Sequence, residues 1–184
     1  MKVLVVYGST RDDGNTETLT ERVVEGLDCT RVYLRNTRVE AIQDRRHDPE
    51  GFRPVDDDHY ALTQQLLAHD VVVFATPLYW YGMSGPMKDY FDRWSQALRD
   101  ARFDFRNGIK GKKAYVVVTG GGQEARLTGL PLIQQFQLIF AFAGMEFVAY
   151  LIGAGGKPGQ ILEDERAMLE AAWLNRTLKQ MNNA

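Results

Sequence analysis

Short apolar runs alternate along the chain with segments whose apolar residues recur at helical spacing. Two of these runs, "VVVFAT" and "AYVVVT", are apolar throughout instead of alternating with polar residues. Runs of this kind are typical of parallel strands that helices cover on both faces. The pattern predicts five strands, at residues 3–7, 31–34, 71–76, 114–119 and 147–152.

Helical periodicity fills the intervals between the predicted strands. Leu19, Val23 and Leu27 recur at helical spacing, and further helices are predicted at 130–142 and 160–181. A longer stripe consists of Met83, Met87, Tyr90, Phe91, Trp94 and Leu98. This alternation predicts an α/β fold, a flavodoxin-like doubly wound five-stranded parallel sheet with strand order 2-1-3-4-5, as one domain over residues 1–184.

Two segments do not follow from this pattern alone. Residues 35–55 are polar and irregular, and we expect them to form a surface excursion whose role the sequence does not define. The helix at 130–142 is more apolar than a single buried stripe requires. It is either buried or part of a dimer contact, and the sequence does not distinguish these.

Composition excludes several classes of protein. A net charge of −2 favours neither nucleic acid nor an anionic membrane as a partner. The single cysteine, Cys29, cannot form an internal disulfide and fits a reducing compartment. The first residues lack the regions of a signal peptide, and no stretch is long and apolar enough to span a bilayer. We therefore expect a cytoplasmic protein.

Ligands of doubly wound sheets bind at the carboxyl ends of the strands, near the point where the strand order reverses. The loop after the first predicted strand reads "GSTRDDGNT" and leads into a helix. Backbone amides at a helix N-terminus form an anion site, and Gly8 and Gly14 allow the chain to approach a phosphate closely. The spacing matches neither a Walker A loop nor G-x-G-x-x-G. The simpler alternative is a polar turn in which Asn15 caps the helix.

The loops after the third and fourth strands carry unusual residues as well. Pro77 ends the sheet ladder, and three adjacent aromatic residues, 79–81, follow it. They cannot all face a core, so we expect at least one to meet a ligand or, alternatively, a second subunit. Gly120, Gly121 and Gly122 follow the fourth strand and allow backbone amides to lie against a flat polar ring, although a plain flexible loop is also possible.

The three loops together suit a ligand that has a phosphate group, a flat heteroaromatic ring and a linker between the two. FMN is such a ligand. The chain resembles the NAD(P)H-dependent FMN reductases of the flavodoxin-like superfamily, including the iron–sulfur flavoprotein branch. The family pattern G-S-P-R-x-x-G-N-T is matched by "GSTRDDGNT", with Thr10 in place of the proline. Further matches are "PLYWYGMSGPMKDYFDRW", "GKKAYVVVTGGG" and the late pair Gly144-Met145, so the resemblance covers nearly the whole chain.

The resemblance implies which residues hold the cofactor. The phosphate group of FMN would be bound by Ser9, Thr10, Arg11, Asn15 and Thr16. The ring would be lined by Pro77, Leu78, Tyr79, Trp80, Tyr81 and Gly82, and its pyrimidine edge by Thr119, Gly120, Gly121 and Gly122. The flavin would carry the hydride-transfer chemistry, so no catalytic side chain is assigned. Residues 35–55 contain no cysteine, which excludes an iron–sulfur cluster there.

The function implied is transfer of electrons from NADH or NADPH to a small acceptor such as a quinone, a nitro- or azo-aromatic compound or free flavin, by a homodimer or a dimer of dimers. The alternative is a flavodoxin-type electron carrier without its own NAD(P)H activity. A phosphoacceptor receiver is excluded, because Thr76-Pro77 stands where the acceptor aspartate is required. The sequence selects neither the acceptor nor the nucleotide.

Several smaller features complete the sequence predictions. "GAGGKPG" at 153–159 is interpreted as a loop that ends in a helix start, and "DDDH" at 56–59 as a helix N-terminus. Asp89 and Arg93 are predicted to form an i, i+4 ion pair. No metal site is expected from the histidines. A group of basic residues either attracts a nucleotide phosphate or is a solvated surface: Arg102, Arg106, Lys110, Lys112 and Lys113.

Overall fold

The computed structural model describes residues 1–122 and 124–183. Five strands form one parallel sheet in the order β2-β1-β3-β4-β5, as the sequence predicts. The strands are β1 (Val3–Tyr7), β2 (Cys29–Tyr33), β3 (Val71–Pro77), β4 (Lys113–Gly120) and β5 (Glu146–Ala154). Every residue of β1 and β3 is buried. Edge strand β2 begins two residues earlier than predicted, because half-buried Cys29 and exposed Thr30 do not continue an apolar run.

Helices cover both faces of the sheet. The helices are α1 (Asn15–Val24), α2 (His59–Ala68), α3 (Gly85–Asp92), α4 (Trp94–Ala97), α5 (Phe105–Ile109), α6 (Ala125–Thr128), α7 (Leu130–Ala143) and α8 (Glu165–Asn183), with short 3₁₀ turns at Leu34–Asn36 and Gln160–Glu163. Helices α1 and α8 pack together on one face, and the apolar side chains of α2 to α7 form the core on the other. Among the described residues, none of the helices is both long and apolar enough to cross a membrane.

Two predicted helices are each interrupted in the structure. The stripe from 83 to 98 is divided into α3 and α4 at Arg93. The helix predicted at 160–181 begins as a 3₁₀ turn, and α8 starts only after Asp164. The Asp164 carboxylate accepts hydrogen bonds from the amides of Ala154 (2.8 Å) and Ala167 (3.1 Å), so it caps α8 and ties its start to the end of β5.

Arg93 is the buried group that holds the 35–55 excursion against the helical layer. Its guanidinium donates to a carboxylate oxygen of Asp57 at 2.5 Å, to the Glu40 carbonyl at 2.8 Å and to Gln96 at 3.0 Å. The Arg93 side chain is 2 % exposed and that of Asp57 1 %. Burial alone would raise the pKa of Asp57. The Arg93 guanidinium and the backbone amides of Glu40 and His59, which donate to the Asp57 carboxylate, outweigh this effect and hold the pKa of Asp57 below its usual range.

The predicted ion pair between Asp89 and Arg93 is therefore wrong. The Arg93 side chain pairs with Asp57, the second acid of "DDDH", and not with Asp89. Both Arg93 and Asp57 are buried, and a buried cation needs a carboxylate beside it. Burial raises the pKa of Asp89, and Lys88 pairs with Asp92 instead. The "DDDH" segment does precede a helix, α2, as predicted.

Replacing Arg93 with methionine should lower the free energy of unfolding by about 3–5 kcal/mol, because the carboxylate of Asp57 would remain buried without its cation. Urea denaturation at neutral pH measures this difference. The control is Arg38→Met, which removes an exposed arginine whose contacts with Glu40 and Asp56 are 3.5 and 3.6 Å long. That variant should stay within about 0.5 kcal/mol of the parent protein, and equal losses in both variants would contradict the assignment.

Candidate functional site

The loops after β1, β3, β4 and β5 meet at the carboxyl edge of the sheet and are hydrogen-bonded to one another. The Gly8 amide donates to Ala75 at 2.8 Å, and the Leu78 amide donates to Thr119 at 2.8 Å. The Ser84 hydroxyl, which caps α3, donates to the Gly8 carbonyl at 2.6 Å. These bonds fix the relative positions of the three loops that the sequence singled out.

The first loop ends at the N-terminus of α1. Gly14, not Asn15, is the N-cap residue, and no side chain caps the helix. The alternative of Asn15 as the cap is therefore wrong. Among the described residues, no hydrogen-bond acceptor satisfies the first-turn amides 15–17. Ser9 is buried and its hydroxyl bonds the backbone of Arg11, whereas the side chains of Thr10 and Arg11 are exposed. Within 1–122 and 124–183 the Arg11 guanidinium forms no ion pair, so the loop can present the first-turn amides and this arginine to an anion.

The Asn15 side chain is used inside the protein. Its amide nitrogen donates to the carbonyls of Gly155 and Lys157, both at 2.8 Å, and its oxygen accepts from the Ile161 amide at 3.4 Å. Residue 155 must be glycine for this contact, because a Cβ there would lie 2.9 Å from the Asn15 amide nitrogen. Asn15 thus joins the first loop to the "GAGGKPG" turn, which was predicted to end in a helix start and is followed by the 3₁₀ turn at Gln160–Glu163.

Thr16 and Thr119 form a second link across the site. Their hydroxyl oxygens lie 2.5 Å apart, and both side chains are buried. The pair fixes the first turn of α1 against the carboxyl end of β4. The hydroxyl that accepts in this pair still has its own proton, so one of the two threonines remains able to donate to an anionic ligand.

The aromatic residues after β3 form a tight two-residue hairpin. Tyr79 and Gly82 exchange backbone hydrogen bonds of 3.0 and 2.9 Å. Trp80 (φ 49°) and Tyr81 (φ 63°) both lie in the left-handed region, as in a type I′ turn. Such turns favour Asn-Gly, and a bulky residue held there costs about 1 kcal/mol or more. Trp80 is 97 % exposed and Tyr81 63 %, so their contacts with the part of the chain that the structure describes do not explain the strain.

Gly120, the last residue of β4, and the two glycines that follow it differ in what they require. Gly120 is buried, and a Cβ on it would lie 3.1 Å from Leu78 and 3.3 Å from Ala125. Gly122 has a φ of 85°, which disfavours any side chain. Gly121 and Gly122 are exposed, so the backbone after β4 forms an open edge. Pro77 and Leu78 connect this edge to the end of β3.

Arg35 belongs to the same edge, although no sequence motif singles it out. It lies in the 3₁₀ turn after β2, and its guanidinium is 2.6 Å from a carboxylate oxygen of Asp12 and 3.2 Å from one of Glu17. Its guanidinium also covers the Tyr33 ring at 4.3 Å. Because it offsets two acids beside the α1 N-terminus, Arg35 keeps the loop suitable for an anion. Its only sequence signal is its position at the end of a strand.

The predicted basic group lies elsewhere. Lys112 donates to the carbonyl of Leu67 at 2.9 Å and to that of His69, and burial lowers its pKa. Lys113 pairs with Glu146 at 3.0 Å. Both occupy the amino end of β4, whereas the loops described above occupy the carboxyl end. The positions of Lys112 and Lys113 therefore do not support attraction of a nucleotide phosphate to the site by these two residues.

The fold and the edge define a class: doubly wound α/β proteins that bind an anionic ligand at the carboxyl ends of their strands. A family model described as a flavodoxin-like fold matches residues 1–176, so the chain belongs to this family, Flavodoxin_2.

Three known proteins are similar over most of the chain. A Bacillus subtilis protein named as an NAD(P)H-dependent FMN-containing oxidoreductase, YwqN, is 47 % identical and aligns with 95 % of this chain and 96 % of its own. An iron–sulfur flavoprotein of Methanocaldococcus jannaschii is 31 % identical over 76 % of this chain and 72 % of its own. The structure of a Trp repressor binding protein from Bacillus subtilis superposes with a TM-score of 0.79, at 40 % identity, covering 94 % of this chain and 96 % of that one.

Relieving the hairpin strain should stabilise the protein in the absence of ligands. Tyr81→Gly is expected to raise the free energy of unfolding by about 0.5–1 kcal/mol, because glycine adopts the left-handed conformation without strain. Thermal or urea denaturation measures the change. Tyr79→Gly is the matched control, since Tyr79 is not among the left-handed residues, and it should destabilise. A loss of stability in Tyr81→Gly would show that the aromatic side chain is held by packing instead.

Proposed function

We propose that this protein is an FMN-dependent oxidoreductase that passes electrons from NADH or NADPH to a small acceptor, such as a quinone, a nitro- or azo-aromatic compound or free flavin. The observation that supports this most is the strained, exposed hairpin of Trp80 and Tyr81. It stands at the same sheet edge as the free amides of α1. Strain that no internal contact explains is characteristic of functional sites. The similarity to the YwqN oxidoreductase over nearly both whole chains supports the same conclusion.

The residues present at this edge fit FMN. The first-turn amides of α1, with the exposed side chains of Thr10 and Arg11, offer donors and positive charge to a phosphate. The hairpin offers aromatic faces to a flat ring. The open backbone at Gly121 and Gly122 offers amides to the polar edge of that ring. We also propose that Ser9 and Thr16 contact the phosphate of FMN, that Pro77 and Leu78 line its ring, and that Thr119 contacts the pyrimidine edge of the ring.

FMN bound here would supply the ring that accepts hydride from the nicotinamide nucleotide and passes electrons onward. The chain itself contributes binding and orientation. Arg11 and the α1 amides hold the phosphate, the hairpin orients the ring, and the amides at 121–122 stabilise negative charge on it. We assign no side chain a proton-transfer role. Because Trp80 is almost wholly exposed in one chain, we also propose that the protein works as a homodimer or a dimer of dimers.

The experiment that tests the function is an absorption spectrum of the purified protein with FMN, followed by anaerobic addition of NADH or NADPH. The flavin bands should appear and then bleach rapidly with one or both nucleotides, which also identifies the donor. Bound flavin that neither nucleotide reduces would contradict the reductase and favour the electron carrier. Failure to bind FMN at all would overturn both.

Two substitutions separate phosphate binding from loop positioning, because riboflavin lacks the phosphate of FMN. Arg11→Ala should weaken FMN binding by about tenfold or more and leave riboflavin binding unchanged, since a charge-assisted hydrogen bond contributes about 1.5–3 kcal/mol. Asn15→Ala should weaken both ligands, since Asn15 holds the loop to Gly155 and Lys157. Quenching of flavin fluorescence measures all four affinities.

The two variants also test each other. If Asn15→Ala weakens FMN binding alone, the Asn15 amide leaves its internal partners to bind the phosphate, as the sequence resemblance implies. If Arg11→Ala weakens FMN and riboflavin equally, Arg11 does not bind the phosphate.

A further inference from the structure

One exposed lysine lies on the turn that follows β5. This turn, residues 155–159, leads from the end of β5 into the 3₁₀ turn at Gln160–Glu163, and Lys157 is its one charged residue. Within residues 1–122 and 124–183, the Lys157 ammonium group forms neither an ion pair nor a hydrogen bond, and the residue is held through its backbone. The described part of the chain therefore gives this side chain no structural role.

The turn is held in place without the lysine side chain. The side-chain oxygen of Gln160 accepts hydrogen bonds from the amides of Gly156 and Lys157, at 3.0 and 3.2 Å. The Gly155 amide donates to the Gly120 carbonyl at 2.8 Å. These contacts fix the backbone of Lys157 and leave its ammonium group available to a ligand.

Two contacts place this turn beside both parts of the proposed flavin site. Asn15, the first residue of α1, donates to the Lys157 carbonyl at 2.8 Å. Gly156 packs against the exposed backbone after β4, since a Cβ built on it would lie 3.5 Å from the Gly121 Cα. The lysine ammonium is carried on a flexible four-carbon chain, so it can reach a ligand bound at the N-terminus of α1.

The charges around the first loop leave a phosphate without enough positive charge. The loop, the first turn of α1 and the residue after β2 that faces them carry two cations and three acids: Arg11, Arg35, Asp12, Asp13 and Glu17. A phosphate monoester adds about 1.5–2 negative charges at neutral pH. The helix N-terminus contributes only about half a positive charge. A second cation free to bind the phosphate is therefore needed beside Arg11.

Lys157 is suitably placed to be that cation. In the described parts of the loops that follow β1, β3, β4 and β5, the cationic residues are Arg11 and Lys157. Arg126, which lies in α6 beyond the glycines, is already paired with Asp164 at 2.7 Å. Lys157 has no such partner, and its backbone is bound to the first residue of α1.

We propose that Lys157 binds the phosphate group of FMN together with Arg11, which makes the "GAGGKPG" turn part of the cofactor site. The inference rests on the proposed function, in which FMN is the bound phosphate ester. A lysine ammonium binds phosphate as a point charge and needs no fixed geometry. The glycines of the turn serve the same end, because residue 155 must be glycine to lie against Asn15 and so bring Lys157 to α1.

The test compares FMN with riboflavin, which lacks the phosphate, by quenching of flavin fluorescence with the full-length protein. Lys157→Gln should weaken FMN binding by about three- to tenfold and leave riboflavin binding unchanged. Lys157→Arg keeps the charge and should bind FMN as tightly as the parent protein. Lys110→Gln is the matched control, because it removes another exposed lysine, one that lies before β4 at the amino edge of the sheet, and it should change neither affinity.

Ionic strength gives a second readout that a purely structural role would not affect. The Debye length falls from about 10 Å at 0.1 M salt to about 3 Å at 1 M, so added salt weakens attraction between exposed charges. The FMN affinity of the parent protein should fall with salt more steeply than that of Lys157→Gln. The two affinities should become equal near about 1 M salt.

The possible outcomes separate this inference from the proposed function. Equal loss of FMN and riboflavin binding in Lys157→Gln, or no loss of either, would overturn the inference. So would an unchanged FMN affinity with a raised KM for NADPH but not for NADH, which would assign the lysine to the 2′-phosphate of the nucleotide. Phosphate-dependent binding through Lys157 in a protein that neither nucleotide reduces would contradict only the reductase. A parent protein that binds neither flavin would contradict both.

Discussion

The first turn of α1 is the element on which the rest of the carboxyl edge depends. Asn15 binds the carbonyls of the turn after β5, and Thr16 binds Thr119 at the end of β4. The Thr16–Thr119 contact is buried and the two Asn15 contacts are partly buried, so losing a threonine partner would leave the other hydroxyl without a hydrogen bond in a place that water does not reach. The α1 N-terminus, the glycine edge and the β5 turn consequently form one rigid unit. A phosphate bound at α1 and a ring bound at the glycine edge would then be held at a fixed separation.

The sequence predicted most of the fold, because the central strands are covered on both faces. Residues 71–77 are all buried, which forces an apolar run that is easy to recognise. Prediction failed where a strand is only partly buried, and where the partner of a side chain lies far away along the chain. Edge strand β2 begins before its apolar residues. Arg93 binds a carboxylate that lies 36 residues away along the chain instead of one on its own helix, and no periodicity can show such a contact.

The site was predicted at the level of loops, and less well at the level of side chains. The loops expected to carry the ligand do meet at one edge, since strand order and helix connections determine that position. The sequence does not show that the Asn15 amide is used within the protein, because its partners follow the last strand. It also does not show that Trp80 and Tyr81 are left-handed, since Asn-Gly is the pair that normally signals such a turn.

Two features of the described residues are unfavourable for a single chain in water: the left-handed backbone at Trp80 and Tyr81, and the exposed apolar side chains of α7. Natural sequences are otherwise consistent across levels, so such exceptions mark places where something outside the chain supplies the missing energy. A flat ligand could offset the strain of the hairpin, and a second subunit could cover the apolar face. The hairpin lies at the carboxyl edge of the sheet, whereas α7 extends along one of its faces, so the two exceptions call for two different contacts.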